Sequence, residues 1–353
     1  MTDTSKPTGL SKLKTIKRKA VVLSQDNLVS YDALGDRALP LVITPRAGEL
    51  SLPAWIADNR EPLRAKLHEH GALLFRDFGV PDPDTFQRAI EAVSGELLHY
   101  TERSSPRHAV KGNVYTSTDY PPQYPIFLHN EQSYNLNWCQ KISFYCRLPS
   151  AQGGQTPIAD TRRILARLNP EIVARFRERR YMYMRNFGEG FGLSWQVAFQ
   201  TEDRGEVEAY CRRNAIDFEW KDGNRLRTRQ VRHAVHRHPV TGELVWFNHC
   251  TFFHVSTLPG PIRDSLTAGF AEHDLPNQTF YGDGAPIEPE VMAQLQQVYL
   301  DEKVVFDWKK GDVLVLDNML CSHGREPFQG ERSVLTAMTE LTDNRLEDLG
   351  KGA

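Results

Sequence analysis

Residues 312–338, DVLVLDNMLCSHGREPFQGERSVLTAM, carry two strand-like runs around a glycine-containing turn, the second run continuing to Leu341. Their β-branched content suits a sheet, as does that of KISFYCRL (141–148), ELVWFN (243–248) and KVVFDW (303–308). Helical patterns stand between these runs. REPLRAKLHEHG (60–71) has Leu63 and Leu67 one turn apart and Gly71 as a stop, and ALLFRDF follows from Ala72 as a buried strand. DTFQRAIEAVSG (84–95) puts Phe86, Ile90 and Val93 on one face, with Asp84 as the expected N-cap. NPEIVARFRERR starts with Asn169 as cap and Pro170 at the first helical position, and PEVMAQLQQVYL lines up Val291, Leu295 and Val298. The order is not a regular strand–helix alternation, which argues against a doubly wound parallel sheet. The fold expected is mainly β with flanking helices, a barrel-like pair of antiparallel sheets. No linker marks a boundary, so residues 21–353 read as one domain behind a basic, solvated tail at 1–20.

Composition narrows the function. The 353 residues are 40% hydrophobic and 25% charged, with a net charge of −2, which gives no electrostatic reason to seek nucleic acid or an anionic membrane. No signal peptide or membrane-length apolar run is present, so a cytoplasmic location is expected. The five cysteines, Cys139, Cys146, Cys211, Cys250 and Cys321, are scattered without a CxxC pair and read as small hydrophobes. Self-association is left open.

The chemistry begins at FLHNEQSY (127–134), where His129 and Glu131 are separated by one residue. Along an extended strand, positions i and i+2 share a face, so both groups would project together. Roughly one such triplet arises by chance in this composition, so it needs partners. His323, inside the 312–338 stretch, supplies a second imidazole, and two histidines with one carboxylate are the donor set of a non-haem iron site with open positions. Nine residues on, Arg332 opens the next strand-like run and is suited to grip a carboxylate through two parallel hydrogen bonds. In PSAQGGQTPIADTRR, two glycines permit close backbone approach, and Thr156 can donate to the same carboxylate.

Together, YPIFLHNEQSY, GGQTPIADTRR, NFGEGFGLSWQ, HPVTGELVWFNH and WKKGDVLVLDNMLCSHGREPFQGER resemble the taurine dioxygenase-like family of iron(II)/2-oxoglutarate oxygenases. The resemblance is to its natural-product branch, typified by the syringomycin aspartyl hydroxylase, and spans residues 70 to 340. It implies a double-stranded β-helix, the cupin-like jelly roll, with His129, Glu131 and His323 holding Fe(II). Arg332, helped by Thr156, would bind the distal carboxylate of 2-oxoglutarate, with Arg325 as the substitute anchor. It further implies O2 as oxidant and release of succinate and CO2. Many members carry Asp where this chain has Glu131. Related halogenases leave that position empty for chloride, so a filled position speaks against halogenation.

Substrate contacts expected from the resemblance and from chain position are Tyr134, Asn135, Phe247 and Asn248. Arg185, Arg229 and Arg232 are candidate cations for a charged amino-acid substrate, because a buried unpaired carboxylate is costly. The expected reaction is hydroxylation of an unactivated C–H bond of an amino acid, free or tethered to a peptidyl carrier protein. Desaturation, epoxidation and ring closure are alternatives at the same iron. A non-catalytic jelly-roll binder and a zinc hydrolase remain as other classes, although the latter leaves Arg332 and Thr156 without a task. His68–His70, His236 and His238 are set aside as metal ligands, NFGEGFG as a phosphate loop in favour of a flexible loop near the pocket, and GPIRDSLTAGF as a packing helix.

Overall fold

The computed structural model describes residues 28–34, 37–46, 48–99, 109–118, 120–188 and 192–345, so the basic tail at 1–20 lies outside the described residues. An eight-stranded sheet forms the larger wall. Its centre is Ala72–Phe75, Val313–Asp317, Cys139–Leu148 and Ser333–Leu341, with Val29–Leu34 at one edge and Ala109–Lys111 at the other. Among the described residues these two edges do not pair with each other, so the sheet stays open. The smaller wall is a three-stranded sheet in the order Ile126–His129, Cys321–Arg325, Ile158–Asp160. A four-stranded sheet, with Tyr181–Phe187 and Asn277–Tyr281 as neighbours, stands beside it. The 312–338 stretch thus feeds one strand to the large wall, crosses through a turn, gives Cys321–Arg325 to the small wall and returns to the large one. That alternation between walls is what opens a space between them.

Helices pack where the sequence pattern puts an apolar stripe. Arg60–His70 buries Leu63 and Leu67 and ends at Gly71, whose φ of +76° is the left-handed cap a Cβ would disfavour. Pro289–Glu302 buries Val291, Leu295 and Val298, and Pro170–Arg179 is capped by Asn169 as expected. Two expectations shift. The N-cap of Pro83–Ser94 is Asp82, not Asp84: its side chain accepts from Thr85 N at 2.8 Å, and Pro83 takes the first helical position, where no N–H is needed. KVVFDW forms only a bridge, in which Val304 exchanges both backbone bonds with Ile158 before Phe306 and Trp308 turn into the core. Of its two β-branched residues Val304 is buried and Val305 faces solvent, so the segment is held by this bridge and by the packing of its aromatic residues rather than by a ladder.

Candidate active site

His323 sits in the middle strand of the small wall, opposite His129 on one side and Ile158 on the other. Directly opposed residues of antiparallel strands share a face, so the two imidazoles meet with ring centroids 4.5 Å apart. Glu131 arrives by another route. The strand ends at His129, and Glu131 belongs to the turn that follows, with Gln132 at φ +57°. Strand alternation therefore does not align His129 with Glu131, contrary to the sequence reading; a turn does.

Asn318 holds that turn. Its amide nitrogen donates to Glu131 O and Cys139 O, both at 2.8 Å, and its Oδ1 accepts from Glu131 N at 2.8 Å. Asn130 Nδ2 adds a bond to Asn318 O at 2.7 Å. The turn carrying Glu131 and the turn leading to His323 are thereby locked together. One ligand-competent atom from each of His129, Glu131 and His323 lies within 4.8 Å of the other two, and all three residues are buried. The Phe127 carbonyl, 2.9 Å from His129 Nδ1, can only accept, so the proton is on Nδ1 and Nε2 keeps the lone pair a metal needs. Two imidazoles, one carboxylate and a fixed tautomer fit a divalent iron.

A second cluster, His68, His238 and Asp317, is as compact, but its chemistry differs. His238 Nδ1 accepts backbone N–H groups from Val240 at 3.3 Å and Thr241 at 3.0 Å. The proton therefore lies on Nε2, which donates to Asp317 Oδ2 at 3.2 Å. A metal there would have to strip that proton, so this is a structural His–Asp pair.

Two cavities meet at the first cluster, sharing Thr118, Ile126 and His129. The smaller lies between the walls, bounded by His323 and Gly324 on one side and Phe144 and Thr336 on the other, and reached by Thr156, Arg325 and Arg332. Arg332 donates to Gly154 O at 2.8 Å, Ser117 Oγ at 3.3 Å and Thr156 Oγ1 at 3.5 Å, so among the described residues its partners are neutral. Burial, with Arg325 beside it, pulls its pKa down to about 10, which leaves a charged guanidinium in want of an anion. Trp308 Nε1 also donates to Thr156 Oγ1, at 3.1 Å; with two donors on its oxygen, Thr156 has its hydroxyl hydrogen left to give. Arg325 is engaged elsewhere, bonding the carbonyls of Tyr120, Pro121 and Tyr124 at 2.8–2.9 Å. It braces a loop.

A family model described as "Taurine catabolism dioxygenase TauD, TfdA family" matches residues 36–339. The chain belongs to the TauD/TfdA dioxygenase family. It is an iron(II)- and 2-oxoglutarate-dependent dioxygenase of that family, and the donor set and basic cavity just described suit those partners. The chain is 41% identical over 299 residues to the dapdiamide synthesis protein DdaC of Enterobacter agglomerans, covering 85% of this chain and 90% of that one. It is 28% identical over 325 residues to a clavaminate synthase-like protein of Arabidopsis thaliana, covering 86% and 94%. The solved structure of PvcB from Pseudomonas aeruginosa shares the fold, with TM-score 0.53 at 16% identity over 90% of this chain and 93% of its own.

The larger cavity of this TauD/TfdA dioxygenase measures about 430 Å³ and takes in Glu131, Phe127, Phe252 and Phe253. None of Tyr134, Asn135, Phe247 and Asn248 lines it. Tyr134 packs edge-on to Tyr183, His249 and Phe253 behind the wall. Asn135 is buried in the turn, its N–H bonded to Gln132 O. Phe247 joins Trp138, Val245, Met319 and Leu320. Asn248 donates to Ala234 O at 2.9 Å and accepts from Cys250 N at 3.0 Å. That side-chain turn swings the next residue, His249, into the cavity wall. Its Nδ1 lies 2.5 Å from Ser133 Oγ, and burial, then His129, holds it well below the usual imidazole range. Of the HPVTGELVWFNH motif the structure brings His249 to the cavity wall, and not Phe247 or Asn248.

Of the three arginines, Arg185 lines the cavity. Arg229 pairs with Glu219 at 3.1 Å, and Arg232 bonds the carbonyls of Asn214, Ala215 and Val231. From NFGEGFG, Asn186, Phe187 and Gly192 border the cavity, while 189–191 lie outside the described residues. GPIRDSLTAGF forms the helix Gly260–Gly269, whose Leu266 also reaches the cavity, so it is more than packing. Among the described residues no helix is long and apolar enough to cross a membrane.

Proposed function

We propose that this dioxygenase oxidises an amino-acid-like substrate, free or carried as a thioester on a peptidyl carrier protein, in the making of a natural product. Hydroxylation of an unactivated C–H bond is the reaction we favour. One observation carries the reading: a small basic cavity and a larger aromatic one join at a buried cluster of two imidazoles and a carboxylate. The smaller suits a dicarboxylic keto acid and the larger a compact organic substrate. The 41% identity to a protein named for dapdiamide synthesis supports the natural-product setting, and the single family match over 36–339 supports one oxygenase domain. The five cysteines, all buried and without a CxxC pair, suit a reducing cytoplasm.

His129, Glu131 and His323 would hold iron, and Arg332 with Thr156 would hold the distal carboxylate of 2-oxoglutarate. When bound, the iron and the keto acid would turn O2 into an oxidant strong enough for an unactivated C–H bond, one oxygen atom leaving in succinate as CO2 is lost and the other going to the substrate. The residues of the chain do the rest. Asn318 fixes the turn that aims Glu131, the Phe127 carbonyl fixes the His129 tautomer, and Phe127, Phe252 and Phe253 exclude water from the larger cavity.

The test is anaerobic addition of Fe(II) and 2-oxoglutarate, read as a weak visible charge-transfer band. Succinate release is then screened across amino acids and carrier-bound aminoacyl thioesters. A chain that yields no band is not an enzyme of this kind. If the band forms and only carrier-bound forms couple turnover to product, the tethered reading stands.

A further inference from the structure

We propose that Arg185 and Asn277 form a carboxylate-binding subsite in the larger cavity, so that the substrate enters with a free carboxylate turned away from the iron ligands. The proposal rests on the amino-acid reading above and narrows it.

Arg185 on Tyr181–Phe187 stands opposite Asn277 on the neighbouring antiparallel strand, and both line the cavity that also takes in Glu131. Residues two apart on a strand share a face. Tyr183 and Phe187 accordingly flank the guanidinium, with ring centroids 5.9 and 4.6 Å from its carbon. The aromatic pair restricts the plane of the arginine, and a fixed planar fork is the geometry that matches a carboxylate. Arg185 is 5% exposed, and among the described residues it is the one Lys or Arg lining this cavity.

Asn277 is oriented as its companion. The Tyr183 hydroxyl donates to Asn277 Oδ1 at 2.6 Å, which leaves the amide nitrogen as the donor end. Asn186 and the Thr257 hydroxyl, on the same wall, bond within the protein. Asn186 accepts from Arg227 Nε at 2.8 Å and donates to His273 O and Leu275 O, while the Thr257 hydroxyl donates to Thr251 O at 2.6 Å. Charge sets the direction. Arg185 attracts an anion to its own part of the cavity, apart from Glu131, whose charge the iron would take up, and this leaves the uncharged part of the substrate nearest the iron ligands.

A carboxylate can come from two sources, the α-carboxylate of a free amino acid or a side-chain carboxylate of an amino acid whose α-carboxyl is a thioester. The protein loaded anaerobically with Fe(II) and 2-oxoglutarate is titrated with the common L-amino acids and their α-carboxamides. It is also titrated with aspartyl and asparaginyl thioesters of N-acetylcysteamine, following the visible band. Carboxylate probes are expected to perturb the band at least about 30-fold more tightly than their carboxamide partners. Loss of binding in the α-carboxamides identifies the free amino acid; discrimination between aspartyl and asparaginyl thioesters identifies the tethered one. R185Q should abolish the preference, R185K should restore part of it, and N277D, which sets a carboxylate against Arg185, should remove it without truncating the arginine. The subsite is overturned if the wild type treats acids and amides alike, if no carboxylate moves the band, or if R185Q and N277D, folded by circular dichroism, keep the preference. Absence of the band itself sinks the iron reading, a separate failure.

Discussion

Replacing Arg332 with methionine should separate stability from co-substrate binding. Burial and the like charge of Arg325 hold the guanidinium at about 10, against an ordinary 12.5. For a base, a lowered folded-state pKa means that the fold disfavours the charged form. The penalty is present at every pH below about 10 and fades as pH rises from there towards 12.5. At about 1.4 kcal/mol for each tenfold change in proton affinity, carrying the charge at neutral pH costs the empty protein about 3 kcal/mol. Against that relief stand bonds methionine cannot make, chiefly to the buried Gly154 carbonyl; an unsatisfied buried carbonyl costs about 1–3 kcal/mol. The empty variant should therefore match the wild type or exceed it by up to about 2 kcal/mol, about 1–3 °C in Tm for a chain of this length. With iron present and 2-oxoglutarate at a hundred times its Kd, the wild type should gain about 2.7 kcal/mol and R332M nothing. Anaerobic calorimetry with and without the keto acid reads both quantities. If R332M were several kcal/mol less stable when empty and still rose in Tm with 2-oxoglutarate, Arg332 would be a structural strut and the co-substrate would bind elsewhere.

Two further substitutions test the frame around the metal ligands. N318A strands the buried Glu131 N–H, Glu131 O and Cys139 O; it should lower stability by about 3 kcal/mol in urea denaturation and weaken iron binding by about 10- to 100-fold in a metal titration. In G324A the new Cβ would fall 2.6 Å from Ile126 O and 3.3 Å from Leu128 N, both backbone atoms of the His129 strand. The strands must part there, so iron content after reconstitution should collapse while far-ultraviolet circular dichroism stays near that of the wild type; full iron occupancy would show that the His129–His323 register does not depend on this close approach.

Much of this architecture could be read from local pattern. Leu63, Leu67 and Gly71 marked a helix and its end, and the apolar runs at 141–148 and 313–317 marked buried strands, because helical and strand periodicities are set within a few residues. The types of the gathered side chains were legible too, since the chemistry of an imidazole or a guanidinium does not depend on where it sits. The two glycines before Thr156 were read as permitting close approach, and at Gly154, φ +71°, a Cβ would lie 3.0–3.1 Å from Arg332 and closer still to Ser150.

What the sequence could not convey was direction. Glu131 reaches His129 through a turn that Asn318 holds from 187 residues away, and nothing near Glu131 announces that partner. His249 faces the cavity while Phe247 and Asn248 do not, because a side-chain turn at Asn248 follows the strand end. Arg185 and Asn277 become neighbours only through strand pairing across the middle of the chain. By itself the sequence determined which segments are strands and helices and which reactive groups exist. Only the tertiary structure decided which of those groups face one another, since a shift of one residue in a turn or a ladder sends a side chain to the opposite face, and that register is set by contacts distant along the chain.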